Sequence, residues 1–296
     1  MKSLGLVGLV VAVLAATAIA SPWVAWALAE AGRPYTFARV YDRVFEVLLV
    51  VGVLGCWRRL GLGRARDVGF RSSGWARDLG RGFAAGLVGL AVGLALAWLV
   101  GGAVPALRYP PGKTVWKALL GLGAAGLIGV GEEALFRGVL LRRFRRDAGP
   151  ALGVAVTTLV YAAVHVIRTR GSDGPVHVWS GVEQTLRLFA PLASGAVLPQ
   201  VAGLALLGAL LAAARLRSGA LWLPIGIHAA FVATFRVGRL FFALRPTPVW
   251  VMGPGWPPLI GGAAGWVAVA VAAAYALRRR GARSRFVLEK PPTGMV

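Results

Sequence analysis

The chain has 296 residues, 57% of them hydrophobic and 15% charged, with 33 Lys and Arg against 11 Asp and Glu and a formal net charge of +22. Soluble domains carry about 25% charged residues, so a water-exposed globule is excluded; the apolar content excludes disorder, and the single Cys56 excludes a disulfide scaffold. The basic residues punctuate long uncharged runs instead of forming one face of a polar domain, which points to anionic lipid headgroups rather than nucleic acid.

A helix that crosses ~30 Å of hydrocarbon needs ~20 apolar residues. The first such run, residues 4–29, follows Lys2 and contains Ala18-Ile19-Ala20 before Ser21, the pattern of a cleavable secretory signal. Its apolar stretch continues past Trp23, which favours an uncleaved helix. A weaker second span ends at Trp57, starts near Phe37 or Val44, and carries Glu46. Residues 58–81 then mix arginines with Leu60, Leu62, Phe70, Trp75 and Leu79, as an interfacial segment would. Further spans are predicted at residues 82–107, 118–141, 148–164, 188–214, 218–235 and 246–277. The expectation is an all-α polytopic membrane protein of about eight transmembrane helices, with a polar site buried between helices four, five and seven. It divides into two N-terminal helices (1–57), the basic segment (58–81), a core (82–245), a last helix (246–280) and a tail (281–296).

Cytoplasmic loops are enriched in Lys and Arg. With eight spans, 20 of the 33 basic residues fall on the side of the termini and 12 on the other, Arg137 lying inside a helix. Both termini are therefore predicted to be cytoplasmic. The abundance of Ala, Gly, Val and Arg suits a GC-rich bacterium, and hence a plasma-membrane location.

Ionisable groups within a membrane are costly and mark functional sites by default. Eight of the eleven acids are assigned to loops or tails and Glu46 to the second span, so only Glu132 and Glu133 sit deep in a long apolar helix. Successive helical residues diverge by about 100°. Glu133 and Arg137, at i and i+4, form a pair that neutralises itself, while Glu132 projects elsewhere with no local partner. These residues alone are also compatible with a structural polar clamp. His165 near the end of the fifth span and His228 near the middle of the seventh reach similar depths and favour one shared site with Glu132. His177, in a loop beside Trp179, is read as a surface residue.

Glu132-Glu133-Ala134-Leu135-Phe136-Arg137 matches the Glu-Glu-x-x-x-Arg signature of the CPBP intramembrane proteases, the group containing the Rce1-type CAAX prenyl endopeptidases and bacterial Abi proteins. Tyr161-Ala162-Ala163-Val164-His165 resembles its Phe-x-x-x-His motif with tyrosine for phenylalanine, and residues 218–230 are similar to the helix that carries its last histidine. The resemblance spans roughly residues 60–235. It implies an eight-helix fold in which Glu132 and His165 activate water, His228 helps to hold the oxyanion, and Arg137 is structural, braced by Glu133. The family pattern has Asn or Asp four residues after the last histidine, where this chain has Val232. Losing one oxyanion donor lowers rate by ~10²–10³. Tyr161 is a candidate replacement donor, and Thr234 is another from a different helix face.

Other intramembrane proteases fit less well. No His-Glu-x-x-His is present, the aspartates are assigned to loops, Ser194 has Leu192 where a rhomboid-like serine has glycine, and Cys56 has no nearby histidine. No cofactor is expected, although Glu132, His165 and His228 are also a set that zinc accepts. The expected partners are the lipid bilayer and a membrane-embedded or lipid-anchored protein substrate, cleaved near its C-terminus. Two other functions remain open: a catalytically silent binding or bacteriocin-immunity protein, favoured by Val232, and a transporter, favoured by Pro191 and Pro199 interrupting an apolar run.

Overall fold

The computed structural model describes residues 2–56, 58, 64–71, 73–167, 174–193, 195–254 and 258–278. The expected tail 281–296 lies outside them, as do Trp57, Ser194 and residues 59–63 and 72 of the basic segment. The helices follow the apolar runs in order: α1 (Lys2–Glu30), α2 (Phe37–Gly55), the one-turn α3 (Ala65–Val68), α4 (Trp75–Leu99), α5 (Pro111–Glu133), α6 (Leu141–Ala148), α7 (Pro150–Val166), α8 (Ser180–Leu188), α9 (Leu198–Ser218), α10 (Trp222–Ala233), the one-turn α11 (Val249–Met252) and α12 (Ala263–Ala276). Two π-helical stretches join α5 to α6 (Ala134–Leu140) and prolong α10 (Thr234–Gly238). Among the described residues, four helical stretches are long and apolar enough to cross a membrane: Val7–Glu30, Trp75–Leu99, Pro111–Ala148 and Gly195–Ser218. Three shorter apolar helices, Pro150–Val166, Trp222–Gly238 and Ala263–Ala276, pack among them. The protein is a helical integral membrane protein, and residues such as Val47, Val51, Leu119, Leu127 and Leu159 face outward in numbers that water would not tolerate.

Several boundaries differ from the expectation where glycine and proline cut an apolar run. The third span starts seven residues early, at Trp75, so Asp78 and Arg81 belong to a helix; it ends at Leu99, before Gly101 and Gly102. Asp42 lies inside α2 rather than in a loop. The run 188–214 opens with two short 3₁₀ turns, Ala190–Ala193 and Gly195–Val197, beside Pro191 and Pro199. The run 246–277 is not one helix: α11 is separated from α12 by Gly253, Pro254, Pro258 and two further glycines. The chain is also not purely helical. Residues Ala103–Pro105 (β1) pair antiparallel with Phe242–Leu244 (β2), Val104 opposite Ala243.

α1 runs unbroken through the signal-like Ala18-Ile19-Ala20. Thr17, Ala18 and Ser21 are buried there, and Gly181 of α8 sits so close that a Cβ on it would lie 1.9 Å from the Ala18 carbonyl oxygen. The small residues of this signal-like segment form a helix-packing surface.

α10 is the central helix, with every residue from Leu223 to Phe231 buried. Lipid tails are as apolar as leucine, so helices associate in a membrane through close van der Waals packing rather than through escape from water. α4 supplies this with glycines. A Cβ on Gly82 would lie 2.2 Å from Leu223 O, and one on Gly86 2.5 Å from the Ala230 Cβ, both on α10. Gly89 and Gly93 meet α12 in the same way, at Ala268 O and Ala264 O. Gly226 of α10 returns the contact, against Leu79 O. The helix that carries His228 is thereby set against α4 backbone to backbone.

Candidate functional site

The Glu132-Glu133 pair ends α5, and the π-helical stretch that follows carries Arg137 and Gly138. Such π segments recur at functional sites because the wider turn re-aims side chains. Glu133 and Arg137 are both buried, with Arg137 Nη1 3.0 Å from Glu133 Oε1. The second guanidinium nitrogen, Nη2, donates to the carbonyl of Gly208 on α9 at 3.1 Å. The guanidinium also lies over the Tyr161 ring, 4.4 Å from its centroid. One arginine thus ties α5, α7 and α9 together.

Glu133 has a second partner that was not expected. His228 Nδ1 lies 2.8 Å from Glu133 Oε1, the oxygen that Arg137 holds. His228 Nε2 faces Glu132, 3.8 Å from Oε2. From α7, His165 Nε2 approaches the same Glu132 Oε2 to 3.3 Å, while its Nδ1 is 2.7 Å from the carbonyl oxygen of Tyr161 one turn earlier. Glu132, His165 and His228 therefore meet, from three helices, as the depths along the spans indicated. Glu132 is not without a partner: His165 serves it from another helix.

These contacts assign the histidine protons. An acceptor opposite each Nδ1 makes Nδ1 the protonated nitrogen. Each neutral Nε2 then turns a lone pair toward a carboxylate oxygen, and those contacts become attractive only with a proton between the atoms. Two carboxylates, Glu132 and Glu133, stand against the one guanidinium of Arg137 in this cluster.

The cluster is open on one edge. The side chains of Glu132 and His165 are 33% and 25% exposed, whereas Glu133 and His228 are enclosed. A small molecule such as water can reach Glu132 and His165 but not the ion pair behind them. Tyr161 is buried between these groups, its ring centroid 4.2 Å from that of His165 and 6.0 Å from that of His228, edge-on to Phe136. It wedges the two histidines apart.

The remaining polar candidates lie elsewhere. Thr234 lines a separate apolar cavity of about 470 Å³ with Leu94, Phe235, Phe242 and Leu259. Val232 is one turn beyond His228 and partly buried. His177 is at the surface, 3.5 Å from Glu183, and Glu46 pairs with Arg43 on α2. Among the described residues no three His, Cys, Asp or Glu side chains are arranged to hold a metal ion. The sequence reading missed the Glu133–His228 bond and the Gly208 carbonyl. Both partners of the first were in view but their spacing of 95 residues says nothing of contact, and a backbone acceptor carries no sequence signal.

Residues 114–234 match the family model described as type II CAAX prenyl endopeptidase, Rce1-like, and the motifs read from the sequence lie within them. The matched segment contains all of the clustered residues, from Glu132 to His228. No curated protein and no solved structure matches the chain.

Proposed function

Taking residues 114–234 as a CAAX-protease-like core, we propose that the protein is an intramembrane endopeptidase in which Glu132 and His165 activate the attacking water. Its substrates are membrane-anchored or lipid-modified protein segments cut near their C-terminus, in a bacterial plasma membrane with both termini of the enzyme cytoplasmic. The observation that carries this reading is the approach of His165 Nε2 to Glu132 Oε2, 3.3 Å, between two side chains that are each partly exposed although Oε2 itself is buried.

In the proposed reaction Glu132 takes a proton from water as the water oxygen attacks the scissile carbonyl carbon. His165, aligned by the Tyr161 carbonyl, shares that proton and delivers it to the departing amine as the C–N bond breaks. His228, positively charged and held by Glu133, turns its Nε2–H toward the oxyanion. Arg137 holds the Glu133 carboxylate, and Tyr161 keeps the histidines in place. No metal takes part in this scheme. Removing a general base lowers rate by typically 10²–10⁴. Glu132→Gln in membrane preparations is therefore expected to abolish processing, read as untrimmed membrane proteins, at unchanged protein abundance; cleavage retained by that variant overturns the mechanism.

Val232 favours a second reading, a catalytically silent member that binds a membrane partner or confers immunity. There, Glu132→Gln leaves the phenotype intact, while Arg137→Ala, which strands Glu133, lowers the amount of folded protein.

A further inference from the structure

Behind the ion pair, on the side away from the open edge, a second cavity of about 810 Å³ opens where α6 and α9 end. Its wall carries Arg66 and Arg71 from the segment around α3, Arg142, Arg145 and Arg146 from α6, and Arg215 from α9. Asp67 is the one acid on that wall among the described residues. A sphere of this volume is roughly 12 Å across, about one and a half Debye lengths at physiological salt (~8 Å), so neighbouring guanidiniums on the wall repel one another while charges on opposite walls are largely screened.

Positive charge at helix ends serves topology wherever it stands near the headgroups, and that role needs no cavity. This cavity is built. The α3 segment is strapped over the helix ends: Arg142 donates to the Asp67 carbonyl, Leu221 N–H to Gly69 O at 3.0 Å, and Trp222 Nε1–H to Arg71 O at 2.6 Å. Val68 presses on Gly138, where a Cβ would lie 2.3 Å from its Cγ1. Gly69, with φ +121°, leaves room for Arg215, whose Nη2 lies 2.8 Å from where a Cβ would stand. Arg215 Nε is buried and finds no hydrogen-bond partner among the described residues. The floor is Arg137 itself.

Guanidinium groups bind phosphate oxygens through paired N–H donors, and six of them around one concavity are matched by several oxygens on a multiply charged centre. We propose that this cavity binds a phosphate-bearing anion, presented by a phospholipid headgroup or by a soluble phosphate compound. An anion there relieves the repulsion among the arginines. It also places negative charge beside Arg137, the residue shared with the Glu133–His228 cluster.

The test does not depend on peptidase activity. The purified full chain is compared with Arg66→Gln/Arg145→Gln, two exposed wall positions, and with Arg33→Gln/Arg39→Gln, which removes the same charge elsewhere. The two probes are inorganic pyrophosphate, titrated in neutral detergent, and nanodiscs of phosphatidylcholine with and without phosphatidylglycerol, scored by retained anionic lipid and by thermal shift. The cavity variant is expected to bind at least about tenfold more weakly, as for loss of two charge-assisted contacts, with the control within about twofold of the parent. A pyrophosphate response assigns the site to a soluble phosphate, and a response confined to phosphatidylglycerol assigns it to a headgroup. Equal losses in both variants, or no binding of either probe by the parent, overturn the proposal.

Discussion

His228 and Glu133, 95 residues apart, share a hydrogen bond of 2.8 Å through the carboxylate oxygen that Arg137 also holds. The ion pair is therefore the support of a histidine as well as a clamp between helices. Structure and chemistry meet at Glu133.

Glu133→Gln keeps an oxygen for both partners but leaves the Arg137 charge buried without a counter-charge. Breaking a buried pair in this way destabilises by about 3–5 kcal/mol. Arg137→Met strands Glu133 and should be similarly damaging, while the double variant loses less than the sum because no charge remains unpaired. Denaturation of the detergent-solubilised protein measures the cycle; additive losses would show that the two residues do not act as a unit.

His228 offers two isosteres that separate its roles. Asn holds an N–H near the position of Nδ1, so His228→Asn retains the Glu133 bond but has nothing at Nε2. Gln places its amide nearer the position of Nε2 and gives up the Glu133 contact. His228→Asn should therefore melt near the parent and lose ~10²–10³ in turnover, whereas His228→Gln should melt lower. The reverse pattern would mean that Nδ1 holds no structural bond.

The helices were readable because a membrane demands long apolar runs, and α1, α7 and α10 lie close to where those runs put them, while α5 starts seven residues early at Pro111. Their ends were not. Gly101-Gly102 and, among the described residues, Gly253, Pro254, Pro258, Gly261 and Gly262 end helices inside stretches that carry no charged residue. β1 and β2, three residues each and far apart in the chain, leave no periodicity to detect. In the site, residue types and order identified Glu132, His165 and His228, since few ionisable groups enter apolar runs. Spacing reveals only partners on the same helix, so it exposed Glu133–Arg137 and hid the bonds to His228 and Gly208.

The glycines of α4 set where α10, and so His228, comes to rest. Gly82→Ala drives a methyl toward Leu223 O, 2.2 Å away, and backbone cannot yield as a side-chain tip does. Overpacking of this kind costs about 1–3 kcal/mol and should lower activity with stability. Gly123→Ala, in α5 with nothing within 4 Å of the new methyl, should be neutral or gain up to about 1 kcal/mol in helix propensity. Thermal melts of the two variants side by side are the check; an equal response would remove the α4–α10 contact from the account.

Val232 stands one turn past His228, at the position where the resembled family carries Asn or Asp. Valine offers no hydrogen-bond donor, so in the proposed mechanism His228 serves the oxyanion without help from its own helix. Val232→Asn restores the amide and, if it reaches the oxyanion, contributes up to ~10²–10³ in turnover. The gain should appear in kcat and not KM, because the donor meets charge that develops only in the transition state. In the resting enzyme the partly buried amide has no such partner, and the variant should lose about 1–3 kcal/mol of stability. A rate increase at lower stability is the expected pair of results. Unchanged turnover in a folded Val232→Asn protein would mean that this position does not face the reacting carbonyl and that the oxyanion is held by His228 alone.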